Sequence, residues 1–181
     1  MSETIQRRPA RRNRTRNKIF AAAMEQLDGL PSGSVSVDTI AAAAGVSKGS
    51  VYYNFGSKLE LFEQLLSYGA DLLLTQLRET CSLPEQLGIA FDFLEKNPAF
   101  GQLWITEIWL APTNDPVTLR DVRKEFIDLL AESLANDPNV KRGLEPIAVL
   151  GAVLLVARDR NMFNPDRTRD DCVASIQALL S

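Results

Sequence analysis

The chain has 181 residues, enough for one domain or for a small domain joined to a larger one, and its net charge is −3. It has no histidine and two distant cysteines, Cys81 and Cys172, which excludes zinc sites of the usual kinds and implies a reducing, cytoplasmic setting. The longest uncharged apolar run, Pro146 to Ala157, is too short to cross a bilayer, and Ile19 to Met24 is too brief for a secretory signal.

The charge is unevenly divided. Residues 1–60 carry nine Lys and Arg against five Asp and Glu, whereas 61–181 carry eleven against eighteen. A basic head on an acidic body docks head-first on a polyanion. Over the first eighteen residues Arg7, Arg8, Arg11, Arg12, Arg14, Arg16 and Lys18 face a single acid, Glu3. Pro9 and the absence of apolar periodicity predict a disordered basic arm over 1–12. Such an arm, ending at Arg11 and Arg12, can settle along phosphates or in a minor groove. The plainer alternative is a solvated tail.

A head domain is predicted over 13–60. Ile19, Phe20, Ala23 and Leu27 form the apolar face of its first helix. Asp28 to Val35, with Gly29, Pro31 and Gly33, is a loop. Ser36 caps a short helix, Val37 to Ala44, whose face of Ile40, Ala41 and Ala44 allows close backbone approach. Gly45 supplies the left-handed residue that ends it. Ser47 caps a second short helix, Lys48 to Asn54, with Val51 and Phe55 facing inward. Two helices of about two turns cannot stand alone in water, so neighbours must hold them, as in a helix-turn-helix. Ser57 and Glu60 have capping-box spacing for the helix that follows.

The second short helix leaves Lys48, Gly49, Ser50, Tyr52 and Tyr53 facing outward. A cation, a gap, a hydroxyl and two phenols at a leading helix end can meet base edges and phosphates in a major groove. Lys48, Ser50 and Tyr53 are placed against bases, with Lys48 suited to the guanine acceptors O6 and N7. Ser36, Tyr52 and Lys58 are placed against phosphates, where they fix register. Tyr52 can equally be a packing residue.

The ungapped run of Ile40, Ala41, Ala44, Gly45, Val46, Ser47, Gly49, Val51, Tyr52, Phe55, Ser57, Lys58, Leu61 and Phe62 resembles the TetR family of bacterial transcriptional regulators. The resemblance covers about the first third of the chain; beyond it only length and helix order agree. It implies an all-α protein, with an N-terminal three-helix helix-turn-helix domain and a C-terminal helical ligand-binding and dimerisation domain. It also implies that Tyr52 touches phosphate. Asn54 stands where the family often has histidine and can donate one bond to phosphate. The family usually has a glycine close to Pro31; here Gly29 and Gly33 flank it.

The body, 61–181, reads as helical throughout. Lys58 to about Cys81 carries Leu59, Phe62, Leu65, Leu66, Leu73 and Leu77 on one broad face. Ser82 and Glu85 have capping-box spacing for a helix to Lys96. Asn97-Pro98 opens a helix to about Ala111, and Asp115-Pro116 opens one to about Ala135. Leu144 to Met162 and Asp166 to Leu180 complete the set. Pro146 to Ala157 is apolar nearly all round, hence buried on several sides. The resemblance implies that the last two helices pair with their copies in a four-helix bundle. Leu150, Leu154, Leu155, Val173, Ile176 and Leu180 fit that role, although an ordinary monomer core would use them equally well.

Phe91, Phe93, Phe100, Trp104, Ile108, Trp109 and Phe126 gather aromatic and apolar bulk in three consecutive helices. Core packing explains most of them. The resemblance also implies an effector cavity there, with Phe91, Phe100, Trp104, Ile108 and Phe126 as candidate lining. Glu107 falls within the apolar arc of its helix and Arg123 within that of the next. A buried charge needs a partner. The two can satisfy each other, or contact a ligand, or lie in solvent if the helix phase is shifted.

The combined expectation is a homodimeric, ligand-responsive repressor that binds a palindromic duplex operator and requires no metal or cofactor. An enzyme is disfavoured: histidine is absent, no glycine-rich phosphate loop is present, and neither Cys81 nor any serine has an activating partner. A helix-turn-helix used only for protein contact conflicts with the arginine-rich arm and Lys48.

Overall fold

A computed structural model describes residues 3–27, 30, 32–105 and 117–181, with the side chains of 3–12, 32 and 117–119 outside that description. All regular structure among the described residues is helical. The elements are α1 (Glu3–Leu27), α2 (Val37–Ala44), α3 (Lys48–Phe55), α4 (Lys58–Leu77), α5 (Leu83–Lys96), α6 (Pro98–Leu103), α7 (Val117–Asn136), α8 (Pro146–Met162) and α9 (Arg169–Leu180). A single turn of 3-10 helix, Ser32–Ser34, precedes α2. Two compact units form, divided between Leu65 and Leu66.

In the first unit α1 supplies Ile19, Ala22, Ala23 and Leu27 to a core shared with Val35, Val37, Ile40, Ala41, Val51, Phe55, Leu61 and Phe62. Phe20 lies against Phe55 at 5.0 Å between ring centroids. From Glu3 onward the chain is α1, which takes in most of the stretch expected as an arm. Arginine, glutamine and alanine are common there and favour helix.

The second unit packs α5 against α8 and α9, and places α7 and α6 on α8. Its core includes Leu87, Phe91, Leu94, Phe100, Leu103, Trp104, Val153, Cys172 and Ile176. Burial pushes the Cys172 thiol pKa up, so this sulfur is a packing group. Gly69 of α4 allows a close approach within the core. A Cβ there would lie 2.5 Å from Cδ2 of Phe100.

Several boundaries differ from the periodicity. The segment after α3 ends at Leu77, not Cys81, because a turn at Arg78 and Glu79 follows. Ser82 makes no side-chain cap for α5. Thr80 acts instead: its hydroxyl accepts from the Ser82 amide at 3.1 Å and donates to the Glu85 carboxylate. The last helix starts at Arg169, where Thr168 and Asp171 form a reciprocal capping box. No helix among the described residues is long and apolar enough to cross a membrane.

Candidate nucleic-acid interface and effector cavity

The local chemistry that presents α3 is made of small hydroxyls and one glycine. Ser36 Oγ accepts from the Thr39 amide at 3.0 Å, and Ser47 Oγ accepts from the Ser50 amide at 3.1 Å. Each replaces an orphan bond in a first helical turn. Gly45, at φ 64°, turns the chain between α2 and α3, and the Val46 amide then reaches the Ala41 carbonyl at 3.0 Å. Val51 and Phe55 are buried, so the opposite side of α3 faces out.

On that side Lys48, Gly49, Tyr52 and Tyr53 are exposed and Ser50 is half-buried. Tyr53 is 80% exposed, more than packing would leave it. Lys48 is not idle. Its ammonium donates to Asp38 Oδ2 at 2.7 Å, and this bond raises the Lys48 pKa. Asp38 sits in the first turn of α2. Sequence reasoning missed it, although an acid there, ten residues before Lys48, was visible.

Lys58 is half-buried, with its ammonium 5.4 Å from the Phe62 ring centroid and 3.5 Å from the Gly33 carbonyl. Ser57 Oγ accepts from the Glu60 amide at 3.0 Å and donates to the Glu60 carboxylate at 3.1 Å. The expected capping box is therefore made with the hydroxyl in place of the Ser57 amide.

Asn54 does not face outward. It is 8% exposed, and its Nδ2 donates to the Ser50 carbonyl one turn back at 2.7 Å. The bond to its own helix uses one of the amide's two N–H groups, and Oδ1 is buried without a partner among the described residues. Arg11 and Arg12 belong to α1, and their side chains lie outside the described residues.

Arg16, read with the basic arm, has a different job. Its Nη1 donates to the Asn54 carbonyl at 3.0 Å and its Nη2 to Gln64 Oε1, while the guanidinium lies 4.7 Å from the Phe55 ring centroid. It ties the end of α3 to α1 and α4, at a helix C-terminus where a cation is favoured. The signal was its spacing: 16, 19, 20, 23 and 27 share one helical face.

A cavity of about 70 Å³ lies in the second unit, among Leu73, Leu77, Leu87, Phe100, Trp104, Phe126, Leu129, Leu130, Leu150 and Val153. Gln86 and the indole nitrogen of Trp104 are the polar groups among its described lining residues, and the Gln86 amide nitrogen donates to the Leu77 and Thr80 carbonyls. The structure brings together Phe100, Trp104 and Phe126 as expected, with Trp104 and Phe126 edge-to-face at 4.7 Å. Phe91 is buried but absent from the cavity wall. Arg123 is exposed, which removes it from both a buried pair and the cavity. The phase of α7 puts Val122 and Phe126 inward instead, and a long cation on the apolar arc of the sequence pattern turns to water. Glu107 and Ile108 lie outside the described residues.

The residues expected to face a second subunit divide between the inside and the outside of the single chain, with Leu155 exposed. Leu154, Ile176 and Leu180 are buried within the single chain, Ile176 completely. Leu150 and Leu154 line the cavity, and Val173 is half-buried. The large apolar groups that α8 and α9 leave in the open are Leu155, Met162 and Leu179. Among the described residues no cluster of three metal-ligating side chains forms.

Residues 19–65 match the family model described as bacterial regulatory proteins, tetR family. The nucleoid occlusion factor SlmA of Marinomonas sp. (strain MWYL1) is 23% identical over 145 residues, spanning 75% of this chain and 73% of that protein. The fold of the transcriptional regulator FadR from Bacillus subtilis, solved in complex with stearoyl-CoA, superposes with a TM-score of 0.68 at 18% identity, covering 90% of this chain and 95% of that one. That of AibR, solved with isovaleryl coenzyme A and operator DNA, superposes with a TM-score of 0.63 at 21% identity, covering 92% and 97%.

Proposed function

Because the chain belongs to the TetR family of bacterial regulatory proteins, we propose that it is a homodimeric, sequence-specific transcriptional repressor of the cytoplasm, released from a palindromic operator when a small molecule enters its helical body. The observation that carries this reading is the outward side of α3. Lys48, Gly49, Ser50, Tyr52 and Tyr53 are held clear of the core by Val51 and Phe55. A short helix with a cation and hydroxyls at its leading end suits major-groove docking. Arg14 and Lys18 of α1, both exposed, and Lys58 add positive charge for phosphates.

One such helix binds weakly alone, and two on a two-fold axis read half-sites about 34–36 Å apart. Leu155 at 65% exposure and Leu179 at 64% give α8 and α9 an apolar surface for a second copy. The ligand acts by binding the DNA-incompetent conformer more tightly, since only differential affinity shifts the balance.

Footprinting of purified protein on genomic fragments tests the proposal. A protected palindrome and a steep fall of affinity with salt, about −0.9 in log–log slope per phosphate neutralised, are expected. No protected palindrome on any fragment at modest ionic strength would sink it. Sedimentation without DNA should show a dimer.

A further inference from the structure

The cavity also limits what can fill it. Among the described residues its wall is aliphatic and aromatic apart from Gln86, with no ionised side chain. A charge brought there without a partner would be strongly disfavoured. One polar atom on the wall is unsatisfied. Trp104 is 2% exposed, and its Nε1–H has no hydrogen-bond partner. Buried indole N–H groups usually find an acceptor, so an orphan on a residue of the cavity wall is an open binding position once the wall gives way. At Trp104 and Ile105 the helix also widens into a π turn, a rare geometry that recurs at functional sites.

We propose that the effector is an uncharged, largely apolar molecule with one hydrogen-bond acceptor, a carbonyl or ether oxygen, received by Trp104 Nε1–H. This rests on the regulator reading for its biological role, though not for its chemistry. The cavity is about 70 Å³, smaller than the roughly 150 Å³ that holds one benzene, so the leucine side chains give way as the ligand enters.

The test uses the full chain without DNA and the indole N–H signals of its two tryptophans, Trp104 and Trp109, in a nitrogen–proton NMR spectrum. Methyl hexanoate, hexanoate and hexylammonium are the probes, and toluene is a control without an acceptor. The ester should move the Trp104 signal saturably downfield, and both charged probes should bind at least tenfold more weakly. Trp104→Phe keeps an aromatic ring, six-membered in place of the bicyclic indole, and removes the donor. It should weaken the ester relative to toluene by about threefold to tenfold, the range of one neutral hydrogen bond. Charged probes binding as tightly as the ester, a Trp104→Phe variant with an undiminished preference for the ester over toluene, or no saturable response to the ester would each overturn the proposal. Loss of toluene binding in the variant would mean a collapsed cavity, in which case the wild-type ranking of the three probes decides. Operator binding is measured separately, so failure of the regulator reading leaves a distinct signature.

Discussion

Asp38 is the residue through which specificity is best tested. It lies on the side of the helix-turn-helix assigned to DNA, and its carboxylate holds the Lys48 ammonium at 2.7 Å. Both side chains are more than half exposed, so the pair is weak and the ammonium exchanges readily for another acceptor. Non-specific DNA offers only phosphates, and against them the Asp38 carboxylate both repels and competes. A guanine edge offers Lys48 two acceptors while Asp38 still orients the ammonium. Asp38→Asn keeps the shape and deletes the charge. Lys48 is then available to neutralise one more phosphate on non-specific duplex, steepening the salt slope by about 0.9, or about 3.5-fold extra sensitivity between 50 and 200 mM. Fluorescence-anisotropy titrations on operator and scrambled duplexes at several salt concentrations read this directly. Non-specific affinity should rise, and the ratio of specific to non-specific binding should fall. In a Lys48→Ala background the same substitution should change neither slope nor ratio. Equal effects with and without Lys48 would refute the reasoning, because Asp38 would then act only through the general field.

Arg16→Lys should cost about 1–3 kcal/mol in urea unfolding, because an ammonium cannot reproduce the fork to Asn54 and Gln64 or the stacking on Phe55. Gly69→Ala should destabilise by about 1–3 kcal/mol, since the new Cβ would overlap Phe100. Calorimetry checks it, and weaker ester binding should accompany it because Phe100 lines the cavity. Leu155→Glu should yield monomers in sedimentation with little change in helical content, since the side chain is mostly exposed within one chain. Bonds from the Thr168 hydroxyl and amide lower the Asp171 pKa below its ordinary 3.8, so its stabilisation is complete above that pH and is lost as pH falls through the depressed value. Asp171→Asn should therefore lower Tm near neutrality, with the deficit closing on acidification below about 3.8; a constant deficit would refute the capping-box origin.

What could be read from the sequence follows from how local each determinant is. Ser36, Gly45 and Ser47 act within a few residues of themselves, and the structure uses all three as the spacing predicts. The outward side of α3 follows from Val51 and Phe55 by the same short-range rule. Asn54 is harder to read, because its amide has two available partners, a phosphate outside or the Ser50 carbonyl one turn back, and the structure shows the second. The partners of Arg16 and Lys48, Gln64 and Asp38, come from other helices and are not marked by local spacing. The last two helices were the hardest. A helix as apolar as α8 has no polar face to mark the outside, so Leu154 and Leu155 look alike until the fold buries one and exposes the other. Arg123 shows the converse: an apolar arc in the sequence does not fix the last degrees of helix rotation.

The small size of the cavity bears directly on how a ligand could switch this protein. A ligand that fitted without displacing anything would bind both conformers equally and shift no population, however tightly it bound. Here the free volume is about 70 Å³, and Phe100, Trp104, Phe126 and several leucines must separate before an ester-sized molecule enters. That separation costs packing energy in the conformer that lacks the space and little in one that already has it. The difference between those costs is the coupling free energy, and family-independent experience puts such couplings at about 1–3 kcal/mol, or fivefold to 150-fold in affinity. A tight apolar cavity with one unsatisfied donor is what the proposed sensor requires: the donor to select the molecule, and the missing volume to turn its binding into a change of conformation.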